Sequence, residues 1–151
     1  MRSTAASAHL SELPHGVTEC SNLTELVLER IMVSFDYDPA SDDQSRWQAS
    51  WSLLRSLSAA GPYLSKLRRL SLSGNAFVSV PRSLAGATAL EVLVLADQKS
   101  QTAGDAEHAK RVHGLHVLDS LTRLCRVDLS GFSRHGTRRF QAAHPNMTVV
   151  L

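Results

Sequence analysis

The apolar positions of this 151-residue chain recur in a fixed cluster. The stretch Leu67-Arg68-Arg69-Leu70-Ser71-Leu72-Ser73-Gly74-Asn75 spaces its leucines by three and then by two, with a polar residue three further on. Leu70 and Leu72 are two apart, so on a strand they share one face while Arg69, Ser71 and Ser73 point the other way. Asn75 predicts the end of that strand, because its side-chain amide can bond backbone groups left free by the bend. The cluster returns as Leu90, Leu93, Leu95 with Gln98, as Leu23, Leu26, Leu28 with Ile31, and as Leu124, Val127, Leu129 with Phe132. The match extends backwards in steps of three, through Leu84-Ala87-Leu90, Val17-Cys20-Leu23, Leu118-Leu121-Leu124 and Gly61-Leu64-Leu67. Val80-Pro81 and Leu13-Pro14 add a shared proline nine residues before the leading leucine. One such unit cannot bury its own leucines, so the copies must stack on one another.

On these four units the chain resembles the leucine-rich repeat family over residues 10–151. The resemblance implies an α/β leucine-rich repeat solenoid of about four to five coils. A short curved parallel sheet would form the concave side, with helices and turns on the convex side. Counting back from the first unit lands on Ser3 and Ala5 where leading leucines would stand, so residues 1–9 read as a disordered tail and the first strand as incomplete.

Two intervals are long. From Leu23 to Leu67 there are 44 residues, and from Leu90 to Leu124 there are 34. The first excess reads as an acidic loop, Asp36 to Gln44, and a helix carrying Trp47, Trp51, Leu54 and Leu57 that Gly61-Pro62 ends. The second reads as a polar loop and a helix from Asp105 to Ser120, with Ala109, Val112, Leu115 and Leu118 inward. These long returns resemble the ribonuclease-inhibitor-like branch, and the Val-Pro segment the branch with short returns. Past Leu129, residues 133–139 read as basic and exposed. A short helix carrying Phe140 and Ala143 follows, and Met147 to Leu151 reads as a last strand.

Composition changes this picture little. Apolar residues are 43% and aromatic residues only 5%, so leucine and valine must build the core. A net charge of +2 gives no footprint for nucleic acid. No apolar run reaches the ~18 residues of a membrane helix, and the first ten residues lack the apolar segment of a secretory signal. A cytoplasmic protein is the expectation. Of the two cysteines, Cys20 holds a core position and reads as a buried thiol, while Cys125 should be more exposed.

No constellation supports catalysis. The acidic loop lacks the glycine and closing glutamate of an EF-hand. His108, His113 and His116 fall on the expected helix, but no acidic or cysteine partner completes a metal site. The basic group Arg134, His135, Arg138, Arg139 with Lys66, Arg68 and Arg69 reads as a solvated rim. No cofactor or metal is expected.

The resemblance implies a non-catalytic protein–protein interaction module, since fold alone does not fix function. The alternative is an accessory or substrate-recognition fragment of a larger receptor, ubiquitin-ligase adaptor or enzyme. The outward strand positions form aligned rows: Glu25, Arg69, Val92, Arg126; then Val27, Ser71, Val94, Asp128; then Glu29, Ser73, Ala96, Ser130. The leucine rows are monotonous and these are varied. The expected partner is a protein on the concave face, contacting Glu25, Val27, Arg69, Ser71, Val92, Val94, Arg126 and Asp128. The chain should be a monomer unless its open first or last coil pairs.

Overall fold

A computed structural model describes residues 2–6, 13, 15–30, 61–75, 79–98 and 112–151. The chain forms a mixed α/β architecture around one six-stranded sheet, all parallel, with the strands in sequence order. The strands are β1 (Arg2–Ala6), β2 (Glu25–Glu29), β3 (Arg69–Ser71), β4 (Val92–Val94), β5 (Arg126–Asp128) and β6 (Thr148–Val150). The described connections hold a single turn of helix, α1 (His15–Thr18), 3-10 turns at Pro62–Leu64, Arg82–Gly86 and Leu115–Ser120, and a ten-residue helix, α2 (Arg134–Ala143).

The register follows the hydrophobic pattern. Leu26, Leu70, Leu93 and Val127 stand side by side on β2 to β5, and each is 0% exposed. The flanking leucines at 28, 72, 95 and 129 and at 23, 67, 90 and 124 are buried with them. Period two sets one face of every strand inward, and a slip by one residue would turn these leucines to solvent. The proline segment packs against the core, with Val80 and Leu84 buried.

The strands are short because the chain turns at the same place in every unit. Arg30, Gly74, Asp97 and Gly131 each lie two residues past the second inward leucine, and all four have positive φ: 54°, 69°, 54° and 92°. The amide of Arg30 donates to the carbonyl of Ser73, that of Gly74 to Ala96, and that of Asp97 to Ser130, at 2.9–3.0 Å. A left-handed residue swings its N–H out of the strand and onto the next unit, which satisfies a donor that would otherwise be orphaned. The other end of each strand is tied as regularly. The carbonyls of Thr24, Arg68 and Glu91 each accept two successive amides of the following unit.

Three expectations change. Arg2–Ala6 is a strand paired with β2, Ser3 opposite Leu26 and Ala5 opposite Leu28, where the composition had read as a tail. The edge of β2 carries free backbone groups, and any proline-free segment can pair with them whatever its side chains. The expected helix over 105–120 does not run through its described part. Gly114 is left-handed at φ 74°, residues 115–120 form a 3-10 turn, and His113 pairs with Ser79 in an isolated bridge. In the C-terminal part, α2 begins at Arg134, earlier than expected. Among its described side chains Phe140 and Thr137 are buried, whereas Ala143 is exposed. The acidic loop, the tryptophan helix, His108 and Ala109 lie outside the described residues.

Candidate interaction surface

The outward faces of β2 to β6 divide into a closed half and an open half. On the closed half, Glu25 and Arg69 stand directly across β2 and β3 and form an ion pair at 3.3 Å. Beside them Ser71, 0% exposed, donates its hydroxyl to the Glu29 carboxylate at 2.5 Å. Val27 is buried as well. Val27 and Ser71 were expected as partner contacts, and the structure withdraws both from solvent. Ser71 is small enough to sit beneath the Glu29 side chain, and its bond to that carboxylate is already satisfied there.

The open half lies on β4 to β6. Val92 and Val94 are half-buried, as is Val150 on β6, and Arg126 and Thr148 are exposed. Asp128 is committed locally: one of its carboxylate oxygens, Oδ1, accepts from the Ser130 amide at 3.0 Å and from its hydroxyl at 2.7 Å. That arrangement is an Asx-type turn, which closes the strand end. Arg126 forms no ion pair among the described residues. Of the eight expected contact residues, the structure therefore brings Val92, Val94, Arg126 and Asp128 together on accessible strands. It leaves Glu25 and Arg69 at a self-paired margin.

The basic group is dispersed. Arg68 gives both its Nε and its Nη2 to one Glu91 carboxylate oxygen, at 3.0 and 2.6 Å. Lys66 donates to the Asn22 side chain at 2.7 Å. Arg134, Arg138 and Arg139 are exposed on α2, an element of a different connection. His113 and His116 are exposed and do not share a helical turn. Among the described residues there is no group of three or more His, Cys, Asp or Glu side chains that could hold a metal, and no helix long and apolar enough to cross a membrane.

Two features went unread in the sequence. Gln98 works as a second amide rung beside Asn75. The Asn75 Nδ2 donates to the carbonyls of Leu28 and Leu72 at 2.7 and 2.8 Å. The Gln98 Nε2 donates to Leu72, Leu95 and Ala96 at 2.8, 3.1 and 3.3 Å. Phe132 supplies no rung, because a phenyl ring has no donor. The signal for Gln98 was its register with Asn75. The second feature is an open cleft of about 390 Å³ between the turns that lead into β5 and β6, lined by Leu118, Arg123, Cys125, His144 and Met147 among others. His144 crosses beside it to Asp119 at 3.0 Å and lies 4.5 Å from the Phe140 ring. Cys125 is exposed and Cys20 partly so; the latter packs against the core instead of lying fully inside it.

No family model matches this chain, and no curated protein matches it either.

Proposed function

We propose that the chain is a leucine-rich repeat solenoid that serves as a non-catalytic protein-interaction module, docking its partner on the concave sheet face. One observation carries the reading. The inward rows of β2 to β5 are uniform and sealed, whereas the outward rows of β4 to β6 are varied in chemistry and open to solvent. Folding asks little of an outward position, so its residue is free to serve a partner. Val92 and Val94 on β4 and Val150 on β6 offer apolar flanks to either side of β5, which carries Arg126 and Asp128 between them. Apolar area and a few oriented polar groups thus share one face, as a protein interface requires. Repeat arrays use their sheet faces in this way because aligned rows present many independent side chains on a rigid support.

Val94→Glu tests the site. A charge among these valines should abolish partner capture, while the far-UV spectrum stays native and the melting temperature moves by no more than a few degrees. Unchanged capture by this variant would remove the sheet face from consideration.

A further inference from the structure

Resting on that docking reading, we infer that the partner segment is acidic: an extended apolar stretch carrying a carboxylate that meets Arg126. The charge balance of the open half leads there. Of the outward strand cations, Arg69 is held by Glu25 at 3.3 Å. Arg126, on β5 between Val92 and Thr148, is exposed and has no ion pair among the described residues. The acids nearby are occupied. Glu91 is tied to Arg68 at 2.6 Å, and the Asp128 Oδ1 is bonded to Ser130. The open half therefore presents two charges on β5. Asp128 is half-buried between Val94 and Val150 and bonded through Oδ1 to Ser130. Arg126 is exposed beside Val92, has no ion pair among the described residues, and is the one a partner reaches first. Covering it with an apolar partner would strip water from the guanidinium without return. A carboxylate on the partner restores the lost bonds in the planar geometry that arginine favours. A basic partner would meet exposed Arg126 as a like charge and would find only the half-buried Asp128, one of whose oxygens is already bonded to Ser130, to receive it.

Three synthetic peptide pools test this against the full chain by fluorescence anisotropy. Their outer positions are randomised among valine, isoleucine, leucine and threonine, and the central residue is Asp, Asn or Lys. The Asp pool should bind about tenfold tighter than the Asn pool at low salt, with the gap narrowing as added salt screens an exposed pair. Arg126→Glu should erase that preference and turn it towards the Lys pool, and Arg126→Lys should retain part of it. Equal binding of the Asp and Asn pools, a preference that survives Arg126→Glu, or a wild-type preference for Lys overturns the inference. The neutral Asn pool keeps the two ideas apart. If it binds wild type and is lost on Val94→Glu, the docking face stands whatever becomes of the acidic partner. If it is indifferent to Val94→Glu, or if no pool binds, the docking reading falls and takes the inference with it.

Discussion

Left-handed residues turn the chain in four units, at Arg30, Gly74, Asp97 and Gly131, and side-chain amides bridge strands in two of them, at Asn75 and Gln98. Asn75 is 0% exposed and spans two units through Leu28 and Leu72. Asn75→Ala should cost about 1–2 kcal/mol, the scale of one or two buried hydrogen bonds. Gln98→Ala should cost less, since its amide is only partly buried. The Leu72 carbonyl accepts from both side chains, so the double variant leaves it short of both donors. Its loss in urea unfolding should exceed the sum of the single losses. The left-handed positions make a second prediction. At Gly74 a Cβ would stand 2.6 Å from the Arg30 Cγ, and φ is +69°. Gly74→Ala should therefore lose about 1–2 kcal/mol, whereas Arg30→Gly, which relieves the same backbone cost, should be neutral or gain up to about 1 kcal/mol. Equal losses at both positions in thermal melts would contradict the shared-turn account.

At the scale of elements, the connections differ more than the strands do. The turn at Pro62–Leu64 carries Tyr63, 0% exposed. Burial pushes its phenol up to about 12 from an ordinary value of 10, because the anion would lose its hydration. The folded state thus holds this proton more tightly than the unfolded chain does. Its contribution is complete below pH 10 and is lost as the pH rises from about 10 to about 12. The loss approaches about 2–3 kcal/mol. In denaturant titrations over that window, Tyr63→Phe should flatten the decline relative to wild type; parallel curves would place the phenolate in water. The connection before β5 shows why the expected helix does not run through residues 112–120. Val112, Leu115 and Leu118 do keep a helix-like spacing, but 3-10 turns also return a face every three residues. Periodicity could not tell the two apart, and the bridge from His113 to Ser79 depends on a neighbour more than thirty residues away.

For the molecule as a whole, stability rests on the inward rows being continuous from β2 to β5. Leu70→Asp or Leu93→Asp would set an unpaired charge between neighbouring units. Either should unfold the domain, with a loss on the order of 5 kcal/mol or more, comparable to the stability of a small domain. A wild-type melting temperature for either variant would refute the strand register. The sequence alone determined that register. Leucines spaced by two and three report which side of each strand is wet, and side-chain burial is written in side chains. It also placed β2 to β6 within a residue or two and named the outward rows. Tertiary structure decided the rest, for reasons no periodicity encodes. Arg2–Ala6 joins the sheet through backbone groups that carry no residue-specific signal. Gln98 becomes a rung because the Leu72 carbonyl of the preceding unit lies within its reach. Ser71 leaves the surface because the Glu29 carboxylate bonds its hydroxyl, and Val27 across from it is buried as well. The candidate face therefore narrows to β4 through β6, where the outward chemistry named by the sequence still meets water.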